Sequence, residues 1–193
     1  MKNTRVRIKS IENLSDQWYK LDKIDFEYQI KSGKWQQQMR ECYDRGDGAA
    51  ILLYNRAKKT VVLTKQFRMP TYLNANDDGM MIEVCAGLLD DNDPFTCIKK
   101  EAEEETGYKI DHPVKLFELY SSPGAVTEII HYFAAPYNSE MKVSHGGGLE
   151  EETEEIEVLE MDFDKALSMV STGEIKDVKT VVLLQYAQMS GMI

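Results

Sequence analysis

Cysteine is scarce in this sequence, and the few cysteines show no regular spacing. Cys42, Cys85 and Cys97 are the only three, and none belongs to a CxxC motif. An odd number of thiols at irregular spacing makes a poor disulfide framework. We therefore expect buried, reduced thiols in a cytoplasmic protein.

Long apolar runs and an excess of basic residues are also missing. No stretch approaches the roughly 18–20 apolar residues of a membrane span, and residues 1–18 lack the apolar core of a signal peptide, so we expect neither. The chain has 193 residues and a formal net charge of −10. Because a nucleic-acid backbone is bound by basic surfaces, no nucleic-acid polymer is expected as a partner. Small phosphate ligands remain compatible if a divalent cation supplies positive charge.

Several catalytic motifs are absent as well. His112, His131 and His145 show no HExxH spacing, and no GxSxG elbow is present. Gly146–Gly148 are not followed by the Lys-Ser/Thr pair of a P-loop. These absences argue against a zinc hydrolase, a serine hydrolase and a P-loop enzyme.

Strand and turn signals run through most of the chain, and 42% of its residues are hydrophobic, enough for one full core. Period-two alternation in 5–32, a turn at Ser32-Gly33 and a returning strand over 35–45 predict an antiparallel β unit in residues 1–45. Further strands are expected at 49–55, 60–68, 80–87, 114–120, 128–137 and 156–161, loops at 69–79 and 144–155, and helices at 94–106, 164–171 and 178–190. Strands mixed with separate helices indicate an α+β fold.

An acidic helix is the most informative segment. Asp93-Pro94 predicts its start, and Gly107 predicts a left-handed C-terminal cap. Glu101, Glu104 and Glu105 stand at i, i+3 and i+4, so they share one face in the last two turns. Like charges repel there, and the helix dipole favours cations at that end. A solvated acidic face is the ordinary interpretation, whereas a bound hard cation such as Mg²⁺ or Mn²⁺ would offset both penalties.

Residues 87–108, GLLDDNDPFTCIKKEAEEETGY, resemble the signature of the Nudix hydrolases. That signature is G, five residues, E, seven residues, then REUxEExGU, where U is a bulky aliphatic residue. The matching positions are Gly87, Glu101, Glu104, Glu105 and Gly107.

The segment departs from the signature at four points. The loop is one residue shorter, and Asp93 stands nearest the first acidic position. Ala102 and Tyr108 occupy the aliphatic positions, and Lys100 replaces the arginine. Because lysine cannot form a bidentate fork to a carboxylate, we expect weaker orientation of its neighbour.

The resemblance extends over nearly the whole chain and points to the ADP-ribose and nucleotide-sugar pyrophosphatase branch. Further matching segments are YDRGDGAAILLYN, KQFR, CAGLLD, LFELYSSPGAVTE, GGGLE and STGEIKDVKT. The resemblance implies a Nudix α/β/α sandwich with a mixed sheet in residues 46–193, preceded by the β unit of residues 1–45, which is exchanged in a homodimer. It also implies metal-dependent hydrolysis of GDP-mannose to GMP and mannose 1-phosphate, with ADP-ribose as the alternative substrate.

Roles for individual residues are implied in the same way. Mg²⁺, or Mn²⁺ in its place, would be bound by the Ala86 carbonyl, Glu101, Glu104, Glu105 and Glu154. The implied catalytic residues are Glu154, Glu152, Glu104 and Arg68. Substrate would be bound by Trp18, Arg40, Glu41, Arg68, Gly87, Leu88, Glu105, Glu128 and Lys179, of which Trp18, Arg40 and Glu41 would reach the nucleotide in the other subunit. Ordinary roles remain open: Trp18 as a core residue, Arg68 as a surface ion pair, and Lys179 as a surface lysine.

The loop glutamate can be assigned in two ways. Counting back from the strand at Ile156 selects Glu154, which we favour. Counting forward from Gly146–Gly148, which we expect to be the flexible base of the loop, selects Glu152; Glu151 and Glu155 are neighbouring acids. Two non-enzymatic alternatives also remain: a Nudix-like nucleotide-binding module, disfavoured because the helix glutamates are present, and a purely structural dimer.

Overall fold

The computed structural model describes residues 2–149, 151 and 154–193. The chain forms two compact units: one runs up to Asp47 and includes Tyr120–Ile129, and the other comprises Gly48–Leu119 and Ile130–Ile193. The division at residue 45 that we expect from the sequence stays a prediction.

The first unit contains a three-stranded antiparallel sheet in the order β1-β2-β3. Its strands are β1 (Val6–Asp16), β2 (Lys20–Gln29) and β3 (Trp35–Asp44). Segment 120–129 joins it because the Tyr43 N–H donates to Ala125 O at 2.8 Å and the Thr127 N–H donates to Tyr43 O at 3.0 Å. The predicted hairpin turn is confirmed, with Gly33 at a φ of 84°.

The second unit is built on a mixed sheet of seven strands, counted over the described residues. Its strands are β4 (Gly48–Asn55), β5 (Thr60–Phe67), β6 (Met80–Glu83), β7 (Cys85–Leu88), β8 (Val114–Tyr120), β9 (Ile129–Pro136) and β10 (Glu157–Asp162). β4 pairs parallel with β9 and antiparallel with β5 and β7, and β5 pairs antiparallel with β6 and β10. The helical segments are α1 (Met69–Tyr72), α2 (Pro94–Thr106), a 3-10 turn (Ser139–Met141), α3 (Phe163–Thr172) and α4 (Val178–Met189).

Helices cover both faces of this sheet, which confirms the predicted α/β/α sandwich. Alternate residues of β4 point to opposite faces. Ile51 belongs to one buried cluster with Ile98 and Ala102 of α2, whereas Leu52 belongs to a second cluster with Leu183 of α4. Among the described residues, no helix has both the length and the apolar character to span a bilayer.

Three local predictions are wrong. The expected loop 69–79 begins with the short helix α1, in which Pro70 takes an early position that needs no N–H donor. The expected single strand 80–87 breaks at Val84, because its first half pairs with β5 and its second half with β4. All three cysteines are free, as predicted, but Cys42 is only half-buried.

Candidate active site

Helix α2 has the predicted bounds, and its caps have the predicted chemistry. The Asp93 carboxylate accepts hydrogen bonds from the N–H groups of Phe95 and Thr96 at 3.0 and 3.2 Å. Gly107 ends the helix with a φ of 78°, and its N–H donates to Glu103 O at 3.0 Å. The side chain of Glu105 is therefore held in the last turn, facing strand β7.

Glu105 is a buried carboxylic acid at the centre of the candidate site. Only 2% of the residue is exposed, and Oε2 accepts a hydrogen bond from the Ala86 N–H at 3.2 Å. Burial, with the charges of Glu101 and Glu154, raises the pKa of Glu105 to about 8, although hydrogen bonds from Cys85 and Ala86 act to lower it. Negative charge is therefore concentrated around Glu105.

The backbone of β7 lies directly against the glutamates of α2. A Cβ atom added to Gly87 would come within 2.1 Å of the Glu101 carboxyl carbon, so only glycine allows this approach. Ala86 stands opposite Ala50 of β4, but its N–H donates to Glu105. Since the N–H and C=O of one strand residue point to the same side, the Ala86 carbonyl faces the side of the glutamates.

Gly146–Gly148 cap the C-terminal end of α2. The Gly147 N–H donates to Glu105 O at 2.9 Å, and the Gly148 N–H donates to Glu104 O at 3.2 Å. All three glycines have positive φ. The segment thus satisfies helix carbonyls that would otherwise lack partners. The sequence analysis expected only a flexible loop base and missed this capping role.

The same glycines support the loop glutamate Glu154. A Cβ atom on Gly148 would lie 2.6 Å from Glu154 Oε2, and the Leu149 N–H donates to that oxygen at 3.4 Å. Glu154 is also one of the charges that raise the pKa of Glu105. Glu152, the second predicted base, lies outside the described residues.

Glu104 has a different environment from Glu101 and Glu105. Its carboxylate lies 3.2 Å from the Lys100 ammonium, an i,i+4 pair on the surface of α2. Both residues line a cavity of about 610 Å³ together with Lys99, Lys109 and Leu149. The helix therefore presents two acidic environments, one buried and one ion-paired.

Arg68 forms a bidentate ion pair with Glu83, a partner that the sequence alone does not identify. Its Nε and Nη2 donate to the two carboxylate oxygens of Glu83 at 3.0 and 2.8 Å. Burial acts to lower the pKa of Arg68, but Glu83, Glu105 and Asp177 raise it overall. The signal for Glu83 in the sequence is a lone acid within the apolar strand MMIEVCAG.

Lys179 joins the same group of charges. Its ammonium lies 2.6 Å from Asp177 Oδ1 and 3.8 Å from Glu83 Oε2. Burial acts to lower the pKa of Lys179, yet Asp177 and Glu83 raise it overall, so the side chain stays charged. Arg68, Glu83, Asp177 and Lys179 are called the paired cluster below, and Glu101, Glu105 and Glu154 the acidic cluster.

Leu88 is the last residue of β7 in the second unit, and the other predicted residues lie in the first unit. Trp18 is 83% exposed, so it is not a core residue, and its ring lies edge-on to Tyr19 at 6.1 Å. The Glu128 carboxylate lies 3.4 Å from Arg45 Nε. Arg40 and Glu41 are exposed on β3, and Arg40 lines a cavity of about 580 Å³ with Cys42 and segment 123–127.

The acidic cluster has the donor chemistry of a hard divalent cation site. Within the described residues, no three His, Cys, Asp or Glu side chains already surround one point as metal ligands. Mg²⁺ does not need such a cage, because one or two carboxylates, water and substrate phosphates commonly complete its coordination. The carboxylates and the Ala86 carbonyl therefore fit such an ion, and the raised pKa of Glu105 indicates that positive charge is needed there.

Comparison with known families identifies both parts of the chain. Residues 44–181 match the NUDIX domain. Residues 5–43 match the family described as the GDP-mannose pyrophosphatase NudK N-terminal domain. The two matches together cover most of the chain.

Curated relatives align with almost the full length. A protein of Yersinia enterocolitica named GDP-mannose pyrophosphatase is 55% identical over 190 residues, covering 97% of this chain and 98% of the relative. Proteins with the same name from Pectobacterium atrosepticum and Yersinia pestis are each 55% identical, covering 92% and 95% of this chain and 91% and 92% of the relatives. The similarity therefore includes the N-terminal unit as well as the catalytic domain.

Proposed function

The chain belongs to the Nudix hydrolase family, and from this premise we propose that it cleaves the pyrophosphate bond of GDP-mannose to give GMP and mannose 1-phosphate. The nucleotide-sugar substrate is supported by relatives of that name over 97% of the chain. The hydrolytic chemistry is supported chiefly by one observation of geometry, the acidic cluster beside the Ala86 backbone.

Nudix hydrolases use divalent metal ions, and we propose Mg²⁺ for this chain, with Mn²⁺ as a substitute. Glu101, Glu105 and the Ala86 carbonyl would hold the ion, with Glu154 as a further ligand and Glu104 in an assisting role. A bound dication neutralises phosphate charge and lowers the pKa of water, which is the chemistry that this site requires. The carboxylate donors of the acidic cluster and the raised pKa of the buried Glu105 support this assignment.

The chain's own residues would then position the reactants and move one proton. Glu154 accepts a proton from the attacking water as its oxygen bonds to one phosphorus, and the bridging P–O bond breaks toward the other phosphate. Arg68 stabilises the charge that develops on phosphoryl oxygens, and Lys179 approaches the sugar or phosphate. Gly87 and Leu88 line the substrate path, and Glu105 also contacts substrate. Glu152 is the alternative base.

We propose further that the protein is a cytoplasmic homodimer in which Trp18, Arg40 and Glu41 reach the nucleotide bound by the other subunit, while Glu128 contacts substrate. The free thiols support the location. The exposed apolar residues of β1, including Ile8 at 62% and Ile11 at 58%, support burial in an assembly. Sedimentation analysis of the wild type tests the dimer, and a monomer at micromolar concentration would reject it.

The substrate proposal is tested by measuring turnover of GDP-mannose, ADP-ribose and ADP-glucose with Mg²⁺. Released monophosphates are converted by an added phosphatase, and the products are identified by chromatography. We expect the highest kcat/KM for GDP-mannose, with GMP and mannose 1-phosphate as products. A preference for ADP-ribose would reject the substrate but keep the reaction class, whereas nucleotide binding without turnover would indicate a binding module.

A further inference from the structure

Helix α4 is connected to the break between β6 and β7 by a chain of buried hydrogen bonds. The Val84 N–H donates to Thr180 Oγ1 at 2.7 Å, and the Thr180 hydroxyl donates to Asp177 Oδ2 at 2.7 Å. Thr180 is fully buried, and Asp177 is 8% exposed. Each of these hydrogen-bonding groups therefore has a defined partner in a region shielded from water.

The break at Val84 needs an acceptor from outside the sheet. Glu83 is the last residue of β6, paired with Thr64, and Cys85 is the first residue of β7, paired with Ile51. The Val84 N–H donates to a side chain instead of to a neighbouring strand. Since a buried N–H without a partner is destabilising, the Thr180 hydroxyl stabilises this change of partner strand.

The other carboxylate oxygen of Asp177 connects the same series of hydrogen bonds to the paired cluster. Asp177 Oδ1 accepts from the Lys179 ammonium at 2.6 Å, and Lys179 lies 3.8 Å from Glu83. Glu83 in turn holds the Arg68 guanidinium through two hydrogen bonds. One carboxylate thus orients a lysine through one oxygen and, through the other, the threonine that holds the strand break.

Asp177 accepts more hydrogen bonds than an N-cap residue of a helix needs to accept. Asp162 caps α3 by accepting the Lys165 N–H at 3.0 Å, and Asp177 makes the equivalent bond to the Thr180 N–H at 2.9 Å. Asp177 additionally holds the Thr180 hydroxyl and the Lys179 ammonium. Asp162 is therefore a matched control for the capping function alone.

We propose that Asp177 and Thr180 are positioning residues for the hydrolytic site: Thr180 sets the path of β7, which carries Ala86 and Gly87, and Asp177 sets the position of Lys179. The proposal rests on the proposed function for its catalytic consequence. Asparagine at position 177 would keep one oxygen to accept from the Thr180 hydroxyl but lose the charge that holds Lys179, so the effects of the two substitutions should separate. Changes in Thr180 should affect kcat, and changes in Asp177 should affect KM.

The first test compares Thr180→Val, which keeps the shape of the side chain, with Thr180→Ser, which keeps the hydroxyl. We expect Thr180→Val to lower kcat for GDP-mannose by about 10-fold or more, since small misplacements of reacting groups are costly. Amide exchange at Val84, followed by NMR, should accelerate about 10-fold or more, because its acceptor is lost. Thr180→Ser should keep both values within about twofold of wild type.

The second test compares Asp177→Asn with Asp162→Asn. Asparagine still caps a helix, but its amide N–H₂ cannot compensate the Lys179 ammonium. Asp177→Asn should raise KM by about 10-fold with kcat changed less than about threefold, whereas Asp162→Asn should leave both unchanged. This milder variant also serves if Thr180→Val does not fold.

The outcomes separate the positioning proposal from the proposed function. Folded Thr180→Val with wild-type kcat, or Asp177→Asn with the kinetics of Asp162→Asn, would overturn the positioning roles. If the wild type hydrolyses no nucleotide sugar, the proposed function fails, and the exchange of the Val84 amide still decides whether Thr180 holds the strand. Unchanged exchange in Thr180→Val would reject that role independently of activity.

Discussion

The paired and acidic clusters lie in the same unit but differ in how their charges are balanced. In the paired cluster, Arg68 and Lys179 match Glu83 and Asp177, with contacts as short as 2.6 Å. In the acidic cluster, burial and the charges of Glu101 and Glu154 raise the pKa of Glu105 to about 8, although Glu105 also contributes to raising the pKa of Arg68. Cationic side chains thus balance the carboxylates of the first cluster, whereas desolvation and neighbouring carboxylates make ionisation of Glu105 costly in the second.

The difference indicates which charged residues stabilise the fold and which require a bound cation. Buried ion pairs with good hydrogen bonds are retained at little net cost. A buried carboxylate beside other carboxylates destabilises the fold unless a cation is bound. Substitutions that remove charge should therefore have opposite effects on stability in the two clusters.

The largest effect is expected from Glu105→Gln. Loss of a metal-binding carboxylate should lower kcat on the order of 10³-fold, since a metal ion contributes several kcal/mol of transition-state stabilisation. The metal-free variant should melt at a higher temperature than wild type at pH 8, because an uncompensated buried charge is removed. Mg²⁺-dependent turnover and calorimetry measure the two effects. The exposed Glu103→Gln on the same helix is the control, and equal turnover in the two variants would contradict the assignment.

Gly87→Ala should have the next largest effect. The added Cβ would lie 2.1 Å from the Glu101 carboxyl carbon, so the carboxylate must move away from β7. We expect kcat to fall by about 10²-fold, the cost of misplacing a reacting group by about 1 Å. In a Glu101→Gln background the same change should add little, because the two substitutions act on one contact. Full additivity in that double-mutant cycle would contradict the prediction.

The pH dependence of stability should reveal the acidic cluster in metal-free protein. The pKa of Glu105 is about 8 in the folded chain, above the usual 4.5, so the folded state binds more protons between these values. Stability is therefore greatest below the unfolded pKa and falls as pH rises toward 8. Differential scanning fluorimetry with a chelator should show a loss on the order of 5 °C, which Glu105→Gln abolishes and added Mg²⁺ reverses. A wild-type melting temperature that does not change with pH would reject this prediction.

Glu83→Gln tests the paired cluster. Glutamine cannot compensate Arg68 and Lys179, and its amide nitrogen would face guanidinium donors. We expect KM to rise by about 10-fold and the free energy of unfolding to fall by roughly 1–3 kcal/mol. Denaturant unfolding and steady-state kinetics provide the measurements. The control Glu160→Gln removes an exposed pair with Lys58 and should change KM and stability little. Comparable losses in Glu83→Gln and Glu160→Gln would show that burial of the ion pair does not determine its contribution.

The smallest effect is expected from Glu104→Gln. Its carboxylate is paired with Lys100 on the surface of α2, away from the burial that raises the pKa of Glu105. We expect kcat to fall by no more than about 10-fold, the range of an assisting group. Steady-state kinetics of Glu104→Gln and Glu105→Gln, measured side by side, compare the two positions. Equal losses of kcat would mean that the helix has a single acidic site.

Much of the fold could be predicted from local patterns. Asp93, Pro94 and Gly107 set the bounds of α2 through caps whose chemistry involves only nearby residues. Strand alternation likewise predicts the N-terminal sheet. The break at Val84 could not be predicted, because it depends on which distant strand accepts each half of segment 80–88.

The candidate site likewise has features that the sequence predicts and features that it does not. The spacing of Glu101, Glu104 and Glu105 predicts one acidic face, but only packing against β7 buries Glu105 and leaves Glu104 with Lys100. Glu83 and Asp177 could not be assigned as partners of Arg68 and Lys179, because ion pairs between distant segments have no periodicity.

The sequence alone determined the helix bounds, the hairpins and the family signature, because each depends on residues a few positions apart. Tertiary structure decided which carboxylates are compensated, because burial and charge pairing are properties of groups brought together from distant parts of the chain. Both Glu83 and Glu105 are buried, but the ion pair with Arg68 makes glutamate a stable partner at position 83, whereas desolvation beside other carboxylates raises its pKa at position 105.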